Sequence, residues 1–272
     1  MKKKYLLTTE DGTSTLFLEE YEQAMHSMSG AYEESLLKHI MPSKILENED
    51  EKINVLDIGF GLGYNVLALM NEFIACMKNR SLQIVSLEKE QSLLEFMNSV
   101  KFNDPRDKIY SFIKDVYASG EGEYDGIKLK ILFGDARETL QSLSGNKFHA
   151  IFQDPFSPSK NPELWSVDYF IKLKSLLSEN GIITTYSSAD QIRRAMMEAG
   201  LNIGRGPSVG KKREGTIASL SKTETELNDD EKKIICDNVK SEPYRDNNFN
   251  LTRGSILEQR LLRIKEIKNR TK

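Results

Sequence analysis

The stretch Val55-Leu-Asp-Ile-Gly-Phe-Gly-Leu-Gly-Tyr-Asn65 runs from a short apolar segment through alternating glycines into a helical pattern. Ile53–Ile58 reads as a buried strand, and Asn65–Met77 carries Val66, Leu69, Met70, Phe73, Ile74 and Met77 at helical spacing. Gly59, Gly61 and Gly63 let the backbone turn tightly and admit a ligand where a Cβ would obstruct it. The helix that follows offers unpaired N–H groups and partial positive charge to a carboxylate. Strand, glycine turn and helix in that order predict a nucleotide-type cofactor at the carboxyl ends of a parallel sheet. The spacing Gly-x-Gly-x-Gly, rather than Gly-x-Gly-x-x-Gly, disfavours a nicotinamide dinucleotide.

Outward from this stretch, strands and helices alternate. Strands are expected at Gln83–Leu87, Leu129–Phe133, Phe148–Gln153, Ile182–Tyr186, Leu201–Arg205 and Thr216–Leu220. Helices are expected at Gln91–Val100, at Val167–Leu177 with Asn180-Gly181 as its C-cap, and at Ala189–Ala199. Residues 102–126 carry no decisive pattern. The result is an α/β fold: a doubly wound, mostly parallel, seven-stranded sheet. Upstream, Tyr5–Thr9 and Thr13–Leu18 flank Glu10-Asp11-Gly12, a hairpin signal, and a helix follows near Gly30–His39. The tail beyond Asp229 reads as helical with a break at Pro243. These readings divide the chain into an N-terminal hairpin and helix (1–45), the sheet domain (46–222) and a C-terminal helical extension (223–272).

The 272 residues carry a formal charge of −3, so bulk charge does not announce a nucleic-acid binder. Basic residues cluster at Arg205, Lys211, Lys212 and Arg213 and along the C-terminal tail. No apolar stretch approaches the ~20 residues of a membrane helix, and the apolar segment after Met1-Lys-Lys-Lys is too short for an export signal. Cys76 and Cys236 lie far apart with no ligand-like spacing. A cytoplasmic protein with no metal and no membrane contact is expected.

Acidic residues stand at successive strand ends. Asp57 precedes the glycine turn, Glu88 ends the second strand, and Asp135 follows the third in Leu132-Phe-Gly-Asp-Ala-Arg137. Glu88 is placed to accept from two ribose hydroxyls, and Asp135 from an adenine amino group. This order of parts resembles S-adenosylmethionine (SAM)-dependent methyltransferases over roughly Ile53–Leu220. The resemblance implies a cofactor site of Asp57, Gly59, Phe60, Gly61, Gly63, Asn65, Glu88, Asp135, Ala136 and Gln153. The fourth strand ends in Asp154, which in this fold lies beside the transferred methyl. A carboxylate there can hold an incoming ammonium, aim its nitrogen and take its proton. Phe156, Tyr186 and Phe60 are expected to stack on a flat base or exclude water, and Trp165 to pack beneath the loop.

The loop Gln153-Asp-Pro-Phe-Ser-Pro-Ser-Lys-Asn-Pro-Glu-Leu-Trp165 resembles the Asp-Gly/Ala-Phe-Ala/Ser-Pro-x-Lys-Asn-Pro-x-x-Trp loop of the MnmC/MnmD-type tRNA methyltransferases. His26-Ser-Met-Ser-Gly-Ala-Tyr-Glu-Glu-Ser35, Thr184-Thr-Tyr-Ser-Ser-Ala189, Gly210-Lys-Lys-Arg-Glu214 and Pro243-Tyr-Arg-Asp246 resemble further segments of that family. The resemblance implies methylation of 5-aminomethyl-2-thiouridine to 5-methylaminomethyl-2-thiouridine at the tRNA wobble position, with Asp154 as the catalytic acid. It implies tRNA, through its anticodon stem-loop, as partner. His26, Glu34, Ser35, Phe156, Lys160, Tyr186, Lys212 and Arg213 are the expected substrate contacts, with Lys211 and Arg245 as further phosphate candidates. Some members of the family carry a fused FAD-dependent oxidase; the expectation here is the stand-alone form, with a separate oxidase or tRNA-modifying complex as the source of the aminomethyl precursor. Pro155 replaces a small residue of the family, and Asp-Pro-Phe resembles the Asp/Asn-Pro-Pro-Phe/Tyr loop of other N-methyltransferases. The alternatives are another amine N-methyltransferase or an aminopropyltransferase acting on a small molecule or protein, and an inert SAM-binding module.

Overall fold

The computed structural model describes residues 3–10, 12–25, 30–76, 80–208 and 214–270. Asp11, His26, Lys211, Lys212 and Arg213 lie outside them. Strands β1 (Lys4–Thr8), β2 (Ser14–Leu18) and β3 (Gln23–Ala24) form a small antiparallel sheet. The hairpin between β1 and β2 is the expected one, and β3 extends it. Helix α1 (Ala31–Ser35) runs directly into a π-helical turn, Leu36–Ile40.

The central sheet contains β4 (Lys52–Ile58), β5 (Ser81–Glu88), β6 (Glu121–Tyr124), β7 (Ile127–Phe133), β8 (Phe148–Gln153), β9 (Leu177–Thr185), β10 (Asn202–Arg205) and β11 (Thr216–Ser219). Its order is β10-β11-β9-β8-β4-β5-β7-β6. The five strands from β9 to β7 are parallel, and β11, β10 and β6 are antiparallel to their neighbours. The seven expected strands are all present. The eighth, β6, lies in the stretch without a decisive pattern. Its hairpin to β7 turns through Asp125 (φ 49°) and Gly126 (φ 76°), the Asp-Gly preference of a two-residue turn. Glu121 and Glu123 sit opposite Lys130 and Lys128, so cross-strand charge pairs support the register.

Helices α2 (Tyr64–Cys76) and α4 (Arg106–Ser119) cover one face, while α6 (Val167–Leu176), α7 (Asp190–Glu198) and α8 (Asp229–Asp237) cover the other; α3 (Leu94–Met97) and α5 (Ala136–Thr139) are single turns. β4 is sandwiched: Val55 packs into the first core and Leu56 into the second. That two-sided burial is why apolar residues stand at adjacent positions, Val55 and Leu56, rather than only at alternate ones.

Two expectations are corrected, and one stretch without a decisive pattern is resolved. The helix at Gln91–Val100 is only α3, because Glu90 takes the Ser92 N–H and hydroxyl into a local turn that competes with helix. Residues 106–119 form α4, starting at Pro105 and ending at Gly120, with Ile109, Tyr110, Ile113, Val116 and Tyr117 buried on one face. Asn180-Gly181 is no helix cap: α6 stops at Leu176, and β9 absorbs the pair in an irregularity opposite Phe148–Ala150. The last helix, α9 (Arg253–Arg270), buries only Ile256. No helix among the described residues is long and apolar enough to cross a membrane.

Candidate active site

The chain leaves β4 to add β5 and β7 on one side, then returns to add β8 on the other. The carboxyl ends of β4 and β8 therefore flank a topological switch point, where open α/β sheets hold ligands. A cavity of about 620 Å³ opens there. Gly59, Gly61, Glu88, Asp135, Ala136, Asp154 and Phe156 line it, as the strand-end pattern predicts. Its roof was not legible in the sequence: Tyr21 from the β2–β3 turn and Arg253 from the start of α9 also line it. Tyr21 stacks on Phe156 at 4.0 Å, and the Arg253 guanidinium lies 4.8 Å over the Tyr21 ring. Both chain ends thus contribute to one wall.

The glycine turn is tight for a definite reason. A Cβ on Gly59, whose φ is +89°, would lie 2.6 Å from the Asp154 carbonyl oxygen. Within the turn itself, the Gly59, Phe60, Gly61 and Gly63 amides are spent inside the protein. Gly59 and Phe60 N–H both donate to Leu87 O at 3.1 Å, and Gly63 N–H donates to Phe60 O. Gly61 N–H donates to Glu88 Oε2 at 2.8 Å. Lys89 and Glu90 N–H donate to Glu88 Oε1 at 2.7 Å each. Three amides therefore aim the Glu88 carboxylate, yet burial dominates and pushes its pKa up to about 7.

Behind the wall lies a polar chain. Asp57 is buried and accepts from Ser86 Oγ at 2.7 Å and from Asn65 Nδ2 at 3.2 Å. Burial raises Asp57 to about 6 against those bonds. The same Asn65 amide nitrogen donates to Asp154 Oδ2 at 3.0 Å. On the other side, His39 Nε2 stands 3.5 Å from Asp154 Oδ1. The His39 ring is buried, and its Nδ1 meets Thr184 Oγ1 at 3.0 Å. His39 escaped the sequence reading, since a lone histidine in Leu36-Leu-Lys-His-Ile40 has no local signature.

Asp135 N-caps α5 and is gripped by Arg137, with Nε–Oδ1 at 3.0 Å and Nη2–Oδ2 at 2.8 Å. Burial disfavours its charge, but the hydrogen bonds and charge of Arg137 outweigh that and hold the carboxyl below its usual range. Arg137 Nη1 reaches the fully buried Asp246 at 2.8 Å and Leu251 O at 2.9 Å. The Pro243–Asp246 segment is thereby tied to the cavity wall.

The other expected residues are distributed as follows. Phe60 turns into the core against Tyr117, and Gly63 packs on its ring. Gln153 is buried off the cavity wall because side chains alternate along β8, and its Nε2 holds Leu164 O at 2.6 Å. Trp165 is buried and donates to Phe156 O at 2.8 Å. Tyr186 donates to Pro155 O at 2.8 Å, and burial raises its phenol well above the ordinary value. Glu34 lies within electrostatic reach of Tyr186, while the Ser35 hydroxyl folds back onto Ala31 O. Lys160 pairs with Glu22, and Arg245 with Glu198. Among the described residues no group of three or more His, Cys, Asp or Glu side chains is placed to hold a metal.

The donor set fits SAM. Glu88 offers an aimed acceptor for a diol at the cavity wall, and the glycine backbone approaches without a Cβ. Residues 106–221 match a family of S-adenosyl-L-methionine-dependent methyltransferases. The crystal structure of MnmC2 from Aquifex aeolicus superposes with a TM-score of 0.89 at 33% identity, covering 98% of this chain and 86% of that one. An uncharacterized protein of Methanocaldococcus jannaschii is 31% identical over 99% of this chain and 75% of its own length. The tRNA 5-methylaminomethyl-2-thiouridine biosynthesis bifunctional protein MnmC of Leptospira interrogans is 29% identical over 65% of this chain, which spans 29% of that larger protein. This chain belongs to the MnmC2 family of SAM-dependent methyltransferases.

Proposed function

We propose that the protein methylates the primary amine of 5-aminomethyl-2-thiouridine at the tRNA wobble position, forming 5-methylaminomethyl-2-thiouridine. The observation that carries this reading is the Asp154 carboxylate at the cavity wall, one oxygen facing Asn65 and the other facing His39. The reaction in the names of the bifunctional relatives supports it.

An alkyl amine resembles lysine, with a pKa of roughly 10 in water, so it arrives as an ammonium. Asp154 can pair with that ammonium and aim its nitrogen. As the ammonium is desolvated beside the carboxylate, a proton passes to Asp154 and frees the lone pair. When bound, SAM supplies a methyl group on a positively charged sulfur, open to displacement by that lone pair. Phe156, held over Tyr21, and Pro155, fixed by Tyr186, form a flat apolar surface against which a base can rest. In our reading the ribose of SAM lies on Glu88. RNA docking would exchange exposed pairs such as Lys160–Glu22, which are weak in water, for phosphate contacts.

The direct test is nucleoside mass spectrometry of tRNA bearing the aminomethyl wobble base, incubated with the protein and SAM. The expected product is heavier by one CH₂. Unchanged nucleosides would reject the substrate assignment.

The ribose role makes a pH prediction. Glu88 must be ionised to accept from a diol, and its carboxyl in the unliganded protein lies at about 7. SAM affinity measured by calorimetry should be constant above that value and fall about tenfold per pH unit below it. Glu88→Gln should bind more weakly at high pH and lose the pH dependence. A flat profile in the unsubstituted protein would remove Glu88 from the ribose.

A further inference from the structure

We propose that His39 takes the proton that Asp154 accepts from the substrate ammonium, so that the restored Asp154 carboxylate faces the secondary ammonium that the methyl transfer forms. The inference rests on the amine-methylation reading above. His39 lies on the π-helical turn Leu36–Ile40, a local widening of the helix that often marks functional positions. The turn buries Lys38 and His39 in succession but sends them to different partners. Lys38 Nζ donates to Pro207 O at 2.6 Å, whereas His39 faces Asp154 and rests on Phe152 at 5.5 Å between ring centres. Among the described residues, the ionisable groups that face the pair are Asp57 from β4 and Tyr186 beyond β9, and Tyr186 in turn feels Glu34 from α1; Lys38, the neighbour on the same turn, is directed to Pro207.

The tautomer decides what His39 can do. If Nδ1 carries the proton and donates to Thr184 Oγ1, Nε2 is an acceptor aimed at Asp154 Oδ1. At 3.5 Å this contact is longer than a formed hydrogen bond, and it can close once Asp154 holds a proton to donate. The steps balance as follows. An ammonium N–H gives its proton to Asp154, and the freed lone pair forms the N–CH₃ bond. The S–CH₃ bond breaks with its electron pair remaining on sulfur. Asp154 passes its proton to His39 Nε2, so a carboxylate faces the secondary ammonium that results. After product leaves, the imidazolium returns the proton through Asp154 to the open cavity. Asn65 holds Asp154 Oδ2 throughout and leaves Oδ1 for the exchange. His39 is thus a positioning residue that acts through Asp154.

The test uses the full chain. ¹⁵N-histidine NMR should show His39 in the Nδ1–H tautomer. His149 provides an internal contrast, because its Nδ1 accepts the Asn54 N–H at 2.9 Å and its proton must sit on Nε2. His39→Gln assigns the resonance. In the same variant kcat should fall about 10- to 100-fold, SAM affinity should stay within about twofold, and the acidic limb of the kcat/KM profile should move. An Nε2–H tautomer at His39, or a variant with unchanged kcat and pH profile, overturns the proposal. If His39→Gln does not fold, Thr184→Val carries the test: loss of the Nδ1 partner should release the tautomer and lower kcat, and an unaltered tautomer and rate overturn it. An unsubstituted protein that methylates no aminomethyl tRNA defeats the substrate reading instead, and the tautomer measurement separates the two failures.

Discussion

Asp154→Asn is expected to lower kcat by about 10²- to 10⁴-fold while leaving SAM affinity nearly unchanged. The amide matches the carboxylate in shape, so the Asn65 Nδ2 contact at 3.0 Å can persist to the amide oxygen and the Gly59–Asp154 packing is undisturbed. What is lost is the negative charge that pairs with an ammonium and the basic oxygen that takes its proton. The free energy involved is about 3–5 kcal/mol of transition-state stabilisation. Single-turnover methylation and calorimetric SAM binding, run on the same preparation, check this. A parallel loss of affinity would mean that Asp154 holds the cofactor rather than the acceptor. Full turnover would remove it from the chemistry.

Asp246→Ala is expected to destabilise the fold by about 2–4 kcal/mol, because it removes one of the two carboxylates that hold a largely buried guanidinium and the acceptor of two backbone N–H groups. Arg137 spans Asp135 and Asp246, both at 2.8 Å, and Asp246 has no exposed surface. Asp246 also accepts from the N–H groups of Asn250 and Leu251 at 3.1 and 3.0 Å, which shape the turn before α9. Urea unfolding should show a lower midpoint at an unchanged slope. Asp246→Asn, which keeps an oxygen for the Asn250 and Leu251 N–H groups and for Arg137, should be less destabilised than Asp246→Ala. Loss of less than about 1 kcal/mol in Asp246→Ala would show that water or a neighbour takes the guanidinium. Arg137 also grips Asp135 and Arg253 lies at the start of α9, so the extension bears on the cavity as well as on stability.

The prolines and glycines divide the same way. Pro105 and Gly120 bracket α4, and Asp125-Gly126 turns β6 onto β7, all by local rules that the amino acids already obey. Ile109, Tyr110, Ile113, Val116 and Tyr117 carry helical spacing along α4, whereas the four-residue β6, Glu121-Gly-Glu-Tyr124, is too short and too polar to announce a strand. Asn180-Gly181 shows the opposite case, where a good local helix stop was overridden by pairing with β8.

By itself the sequence determined seven of the eight sheet strands, the glycine turn, and the acids Asp57, Glu88, Asp135 and Asp154 at successive strand ends. These depend on backbone sterics, side-chain periodicity and spacing over a few residues. Only the tertiary structure decided which groups meet across the chain: His39 with Thr184 across 145 positions, Arg137 with Asp246 across 109, and Tyr21 with Phe156 and Arg253 over the cavity. The reason is physical. Those contacts are set by how the two added ends pack on a finished sheet, and no local pattern records a partner that arrives from the far end of the chain.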